Sequence, residues 1–586
     1  MLKNAFLLLC FAIQILLIWP TFASAGDFQK PPAKEEMEAI FQEGFAKSAE
    51  RLESKFAQNY KPSSIGLSLN SETSNFTAWL DLWRWCKIFS ALSEEEADKH
   101  IESGLARELL SDSTVSRMFF STLSEQDSVP QVLNNLGSIR TAHPQKFREY
   151  ASLAIAIAVV NDVPLPQGWP HHQVAQELVP ASILPVDQQF LRWVAANEAL
   201  QLLLDPRKLS PSQLKFVVDA FITDDELVWA RKYVRLTRST FEMAYFQINY
   251  SHERLKAQQY DWTGGPYTLG AIRKMGGICV DQAYYASMAG KALGLPTLFF
   301  TGQGSDGGHA WFGYMRSDDQ WEIDCGRYSQ HNYATGEAMD PQTWQPISDH
   351  ELKLLAARFR DKQEFAASMN TLAVAEILEK SGESLRARQA YEKAIQLCPQ
   401  NADAWSVAAA FLQRSGTPSK ERILFHERAK TQFANQADLK VLHQQALISI
   451  YQEQGDLDSV KKIEQQILSQ NKRRRSDLSV NMAADQLMAM LEAGNMSEAE
   501  KLFRRQVYSL SQAGGGNFYY DVAEPYIRVL IEKGDKSEAR RSIDLVRRKL
   551  APQPGGILDA SMSGLEKATE LKNNPAVPSS LPPPSL

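Results

Sequence analysis

The stretch that decides the fold is GGICVDQAYYASMAGKALGLPTLFF, residues 276–300. It predicts a helix that begins near Cys279 and stops at Gly294, because glycine ends helices and Pro296 blocks any continuation. The apolar run 297–300 then predicts a short buried strand. A cysteine therefore stands at the N-terminal end of a helix that leads directly into a sheet.

Two further strands are predicted downstream. The first, His309–Tyr314, follows a glycine-rich loop, and the second, Trp321–Asp324, follows a polar turn. Cys279 and His309 are 30 residues apart, and His309 and Asp324 are 15 residues apart. The chain thus presents a cysteine at a helix start, a histidine at the start of one strand and an aspartate on the next.

This order of residue types suits catalysis by a thiol nucleophile. The unpaired N–H groups and the dipole of a helix N-terminus favour the thiolate of Cys279. His309 would pair with that thiolate and later protonate a leaving amine, and Asp324 would fix the tautomer of the imidazole. Gly276 and Gly277 would allow backbone N–H groups to approach an oxyanion.

These residues resemble the core of the transglutaminase-like family. The positions that carry the resemblance are Tyr267-Thr268-Leu269, Gly277-Ile278-Cys279, Ala283, Ala292-Leu293-Gly294-Leu295-Pro296, Gly302, His309-Ala310-Trp311, Trp321 and Asp324. The resemblance implies a papain-like fold and the activity of a transamidase, cysteine protease or amidase. It implies that Cys279 is the nucleophile, His309 the base and acid, and Asp324 the orienting carboxylate. Thr297-Leu298 departs from the Ala-Arg that many members have there.

The oxyanion donor and the substrate contacts stay open in the sequence. Gln258 and Trp262 lie upstream of the cysteine, whereas Gly277 and Trp311 lie within the motif, and all four are candidates for these roles. No cofactor is implied, and no cysteine or histidine pair has the spacing of a zinc site. The alternative interpretation is a structural cysteine and a core histidine without chemistry.

The flanking regions are predicted to be helical. Residues 26–249 form a helical N-terminal region, in which His171-His172 is interpreted as a surface loop. Residues 250–347 form the α+β core with a small antiparallel sheet, and residues 348–366 a helical connector. The overall class is therefore mainly α with one α+β domain.

A glycine repeat marks the C-terminal part, residues 367–550. The repeated glycines are separated by 34, 39, 39 and 40 residues and are Gly382, Gly416, Gly455, Gly494 and Gly534. The pattern resembles tetratricopeptide repeats and implies an α-solenoid whose concave face binds a protein partner. Residues 551–586 are predicted to be a largely disordered tail, because they are rich in proline and serine.

Composition and the first residues indicate where the protein acts. Of the 586 residues, 44% are hydrophobic and 23% charged, and the net charge of −6 gives no reason to expect nucleic-acid binding. Residues 1–25 combine Lys3, the apolar run Ala5–Ile18 and Ala23-Ser24-Ala25, which is typical of a cleaved signal peptide. We therefore expect an extracytoplasmic protein without a stable membrane span.

Together these features predict an exported cysteine enzyme that acts on amide bonds of peptides or proteins. The expected intermediate is a thioester on Cys279, with hydrolysis favoured over transamidation because nothing marks an amine site. A non-catalytic extracytoplasmic scaffold that binds proteins or peptides through its repeats is the alternative.

Overall fold

The fold is mainly helical, with one small antiparallel sheet and a helical C-terminal region. It is known from a computed structural model that describes residues 28, 30–60, 71–304, 307–318, 320–328 and 335–570. The predicted signal segment, residues 1–25, lies outside the described residues, as does the end of the predicted tail. Within the described part of the chain, no helix is both long and apolar enough to cross a bilayer. The coarse fold class predicted from the sequence is confirmed.

Sixteen helices precede the sheet in the described residues. In chain order they are α1 (Lys34–Glu43), α2 (Phe45–Asn59), α3 (Ser71–Ala91), α4 (Glu94–Glu102), α5 (Leu105–Ser111), α6 (Ser113–Thr122), α7 (Val129–Ala142), α8 (Pro144–Glu149), α9 (Ala151–Val160), α10 (Val186–Glu198), α11 (Pro211–Val218), α12 (Asp224–Tyr233), α13 (Met243–Phe246), α14 (His252–Lys256), α15 (Leu269–Met275) and α16 (Cys279–Ala292). The last of these, α16, is the helix predicted from the deciding stretch.

The sheet consists of β1 (Thr297–Gly304), β2 (Gly307–Ser317), β3 (Gln320–Cys325), β4 (Glu337–Met339) and β5 (Pro346–Ser348). Its order is β3-β2-β1-β4-β5, and neighbouring strands are antiparallel. The pairing of β2 with β3 runs only as far as Phe312, which faces Cys325. The beginning of β2, which carries His309, therefore extends beyond the end of β3.

The helix α16 lies at the centre of its unit, because every residue from Val280 to Ala292 is buried. Its C-terminal end is tied to the helices before it by Lys291, whose Nζ donates to Asp219 Oδ1 (2.7 Å) and to the carbonyl oxygen of Phe216 (2.9 Å). Lys291 Nζ also reaches the carbonyl oxygen of Thr297 (2.7 Å) at the start of β1. The helices upstream of the core thus form part of its packing.

Twelve more helices follow the sheet. They are α17 (Asp349–Leu355), α18 (Gln363–Lys380), α19 (Ser384–Leu397), α20 (Ala402–Arg414), α21 (Ser419–Gln432), α22 (Ala437–Glu453), α23 (Leu457–Asn471), α24 (Ser476–Glu492), α25 (Met496–Phe518), α26 (Glu524–Glu532), α27 (Lys536–Leu550) and α28 (Ile557–Glu570). Each of the five repeated glycines has a positive φ between 67° and 81° and stands in the turn between two consecutive helices. This explains the glycine spacing, since a left-handed turn favours glycine.

The chain divides into two compact units whose limits differ from the predicted domain boundaries. The first comprises the described residues up to Ala97 with Leu109–Ser113 and Asp361–Gly416, so it combines the first helices with α18–α20. The second comprises Asp98–Glu108, Thr114–Arg360 and the described residues from Thr417, including the whole sheet. Most of the helices on both sides of the sheet therefore belong to the same unit as the sheet.

One prediction about the tail is wrong. Residues from 551 onward were expected to be largely disordered, but α28 is a regular helix. Its residues Leu558, Met562 and Leu565 are buried in a hydrophobic core shared with α24–α27. Burial of these apolar side chains stabilises α28, and the prediction is therefore wrong for residues 557–570.

Candidate functional site

Cys279 is the first residue of α16 and lies near Ala310, in the part of β2 that extends beyond β3. The backbone N–H groups of Ala310, Val280 and Cys279 itself lie close enough to its sulfur to lower the pKa of the thiol. The N–H groups of Cys279 and Val280 precede the first hydrogen bond of the helix, which Gln282 N–H donates to the carbonyl oxygen of Ile278 (3.0 Å). The helix start and the strand thus meet at the thiol.

His309 lies next to Ala310 on β2 and is buried. Its Nε2 is 2.7 Å from the carbonyl oxygen of Gly326, and since a carbonyl can only accept, Nε2 carries the proton. In the neutral ring, Nδ1 is then the basic nitrogen. The ring of Tyr328 lies 5.1 Å from that of His309 and also interacts with Cys279, which places the imidazole and the thiol in one cluster.

The predicted role of Asp324 differs from its position in the structure. Its side chain is 54% exposed, and its carboxylate accepts a hydrogen bond from Arg327 (3.0 Å) and not from His309. Arg327 also pairs with the buried Asp349 at the start of α17 (2.6 Å). Asp324 therefore stabilises the turn after β3, and the carbonyl of Gly326 in that turn takes the orienting position predicted for the carboxylate.

Tyr245 contacts the backbone at both Ala310 and Gly326. Its hydroxyl donates to the carbonyl oxygen of Ala310 (3.0 Å), and its ring packs directly on Gly326. Gly326 has a φ of 93°, and a Cβ atom at this position would come within 2.6 Å of the Tyr245 ring. A glycine is therefore required where the carbonyl meets His309.

A buried network fixes the N-terminal end of α16. Asp281 Oδ2 accepts from Ile278 N–H (2.8 Å) and from Arg254 Nη1 (2.7 Å), and Asp281 Oδ1 accepts from the hydroxyl of Tyr267 (3.0 Å). Burial raises the pKa of the Asp281 carboxyl, whereas Arg254 favours its charged form. The carboxylate thus caps the helix that presents Cys279.

His171 extends this network, so its assignment to a surface loop is wrong. It is buried, and its Nε2 lies 2.9 Å from the hydroxyl of Tyr267. Because that hydroxyl donates its only proton to Asp281, His171 Nε2 must be the donor to Tyr267. Burial lowers the pKa of His171 to about 3, so the ring is neutral. His172 is exposed, as expected of its neighbour in a loop.

The residues predicted to bind the oxyanion or the substrate differ in their burial and in their hydrogen bonds. Trp311 is completely buried, with Nε1 donating to the carbonyl oxygen of Ile323 (2.9 Å), so it belongs to the core. The indole N–H of Trp262 is bonded to Gly265 and the backbone N–H of Gly277 to Asn249, which leaves neither donor available. Gln258 is exposed and lines a cavity near His309. The candidates inferred from the sequence therefore omit the N–H groups of Ala310 and Val280, which lie near the sulfur.

The four cysteines of the described residues are free thiols, so Cys279 and Cys325 are not joined. Among the same described residues, no group of three or more His, Cys, Asp or Glu side chains is placed to hold a metal ion. The chemistry available at this site is that of a thiol, an imidazole and backbone N–H groups.

Comparison with known proteins adds no family to this geometry. No protein-family model matches the chain, and none of the curated proteins is significantly similar to it. The resemblance to transglutaminase-like cores therefore rests on the motif residues alone.

The electrostatics of Cys279 oppose the sequence-based expectation of a thiolate at neutral pH. The pKa of the thiol is raised to about 11, chiefly by burial and also by the nearby Asp281, although the three N–H groups lower it. The pKa-lowering effect of the helix start is thus smaller than the pKa-raising effects of burial and of the Asp281 carboxylate. Cys279 is a neutral thiol that needs a base.

We expect the alkylation of Cys279 by iodoacetamide to be slow at neutral pH. Since only the thiolate reacts, the rate should rise by about tenfold per pH unit and should show no plateau below about pH 9.5. The measurement is the pH dependence of adduct formation on the Cys279 peptide by mass spectrometry, with circular dichroism to verify the fold. A free cysteine in the same mixture, with a pKa of about 8.5, is the control. A plateau for Cys279 below that of free cysteine would instead demonstrate a preformed thiolate–imidazolium pair.

Proposed function

We propose that the second unit is a cysteine-dependent enzyme of the transglutaminase-like class that acts on amide bonds of peptides or proteins. The observation that carries the proposal is the meeting of the Cys279 thiol with the Ala310 N–H, directly beside His309. The start of α16 leaves its first N–H groups without partners inside the helix, and at this thiol they lie where an oxyanion would need donors.

The first step is attack of the Cys279 sulfur on the substrate carbonyl carbon. His309 Nδ1 takes the thiol proton as the S–C bond forms, because the thiol is neutral and Nε2 is held by Gly326. Negative charge develops on the carbonyl oxygen, and the N–H groups of Val280 and Cys279 near the sulfur are the proposed donors to it. In this mechanism His309 deprotonates the Cys279 thiol during the attack, and no thiolate–imidazolium pair exists beforehand.

The second step breaks the C–N bond. His309 returns its proton to the leaving nitrogen, so an amine departs and a thioester remains on Cys279. Water, deprotonated by His309, then attacks the thioester, which releases a carboxylic acid and restores the thiol. We favour water over an amine acceptor, and the protein is proposed to act outside the cytoplasm on a peptide or protein substrate.

A non-catalytic scaffold is the second candidate. The raised pKa of Cys279 and the position of Asp324 away from His309 favour it, because both weaken the expected triad. In this case the helical repeats would bind a protein partner, and the thiol would be a core residue that is only partly exposed.

The test of the proposal is trapping with peptidyl acyloxymethyl ketones, which combine a peptide with an electrophile for thiols. We expect a subset of such peptides to label Cys279 at least a hundredfold faster than iodoacetamide at neutral pH, since binding orients the electrophile on the thiol. Cys279→Ala should abolish labelling, and the three buried or distant thiols should stay unmodified. Labelling of Cys279 that is no faster with any peptide than with iodoacetamide would favour the scaffold.

A further inference from the structure

A cavity of about 350 Å³ adjoins the candidate site within the second unit. Gly308, the residue before His309, lines it, as does Tyr260. Tyr250, whose hydroxyl has its pKa raised by burial and by the nearby Cys279 and Tyr260, lies between the thiol and this lining tyrosine. A substrate that reaches Cys279 from this side would fill the cavity.

The opposite wall comes from the C-terminal helices. Gly515 interrupts α25 with a φ of 51° and a ψ of −127°, and a Cβ atom at Gly516 would lie only 3.0 Å from Gln303 Oε1. The kinked helix can therefore approach the end of β1 closely. It is followed by a π-helical turn, Tyr519–Ala523, whose Tyr520 lines the cavity together with Ile557 of α28.

The polar groups of the cavity define what it can bind. Gln303 Oε1 is buried without a hydrogen-bond partner, which leaves an acceptor for a ligand N–H. No lysine or arginine is found among the described residues that line the cavity, and its carboxylate, Asp261, is exposed. Apart from the exposed imidazole of His172, the lining is otherwise made of amide, phenol and apolar groups, which match a peptide chain and offer no permanent cation to an acidic one.

We propose that this cavity binds an uncharged stretch of substrate polypeptide next to the amide attacked by Cys279. Gln303 Oε1 accepts a hydrogen bond from a substrate N–H, and the Tyr520 ring packs against the chain. The inference rests on the proposed function, and it makes the C-terminal helices part of the substrate site.

The experiment uses the full chain and two peptidyl acyloxymethyl ketones, one with neutral side chains and one with glutamates at the same positions. The quantity measured is KI, the concentration that gives half the maximal rate of Cys279 labelling. Gln303→Met should raise KI for the neutral peptide by about fivefold, the effect of one lost hydrogen bond. Tyr520→Ala should raise it by about tenfold through lost packing, and Tyr520→Phe, which keeps the ring, should not.

Two controls separate the cavity from the chemistry. Tyr508→Ala removes an exposed tyrosine of α25, the helix that precedes the turn with Tyr520, and should leave KI unchanged. The rate of iodoacetamide alkylation should be the same in all variants, because this small reagent does not need the cavity.

Each outcome bears on a different conclusion. If the ketones label Cys279 but Gln303→Met and Tyr520→Ala keep the wild-type KI, the cavity is not the substrate site, although the proposed function stands. If the glutamate peptide binds as tightly as the neutral one, the preference for an uncharged chain is refuted. If neither this pair nor any other peptide ketone exceeds iodoacetamide, the proposed function itself fails.

Discussion

Replacement of His309 by alanine should reduce the rate at which a peptide ketone labels Cys279 at neutral pH by on the order of a thousandfold. The thiol has a pKa of about 11, so without a base hardly any thiolate is present when the peptide is bound. At strongly alkaline pH, where the thiol ionises without help, the variant should approach the wild-type rate. The measurement is the labelling rate of both proteins across the pH range, with intact-mass detection.

The matched control for this prediction is Asp324→Ala. Because the Asp324 carboxylate is more than half exposed and bonded to Arg327, its loss should slow labelling by less than about tenfold. A loss as large as that of His309→Ala would show that Asp324 orients the imidazole during the reaction, as the sequence suggests, and that Gly326 does not.

Replacement of Arg254 by methionine should destabilise the second unit by about 3–5 kcal/mol. The side chain of Asp281 is only 1% exposed, so the variant leaves a buried carboxylate without its cation. The double variant Arg254→Met/Asp281→Asn should recover most of this free energy, since the oxygen of a neutral amide can still accept from Ile278 N–H and its NH2 group can donate to the Tyr267 hydroxyl. Urea unfolding, followed by tryptophan fluorescence, gives the free energy of unfolding for each protein.

Arg316→Met provides the comparison for the Arg254 variant. Arg316 pairs with Glu322 at 3.5 Å in the same unit, but the two side chains are 52% and 33% exposed. Water screens such a pair, and its loss should change the free energy of unfolding by no more than about 1 kcal/mol. Equal effects of the two arginine substitutions would mean that the charge of Asp281 is not buried in the native protein.

The parts of the site that the sequence predicts are those encoded by local signals. Gly294 and Pro296 determine where α16 ends, and the apolar stretches beside His309 determine β1 and β2. The cysteine at a helix start and the histidine on a strand could thus be predicted from the chain alone. The turns between the C-terminal helices could also be predicted from the regularly spaced glycines, because a positive φ favours glycine at each turn.

The parts that the sequence does not predict depend on tertiary packing. Whether Asp324 or the carbonyl of Gly326 reaches His309 depends on where β3 ends relative to β2, and no residue type records that register. The pKa of Cys279 depends on burial by groups distant along the chain. His171 was misassigned for the same reason, since its partner Tyr267 lies 96 residues away.

The carbonyl of Gly326 has a consequence for how this protein can be dissected. The group that steers His309 belongs to the main chain, so truncating side chains one at a time across the molecule cannot delete it. Alanine at position 326 acts differently, since the added methyl group would collide with Tyr245 and shift the peptide unit itself. Side-chain deletions would therefore identify Cys279 and His309 as essential but would miss the carbonyl of Gly326. Only a change in the backbone conformation, or an ester in place of the peptide bond, can test that group.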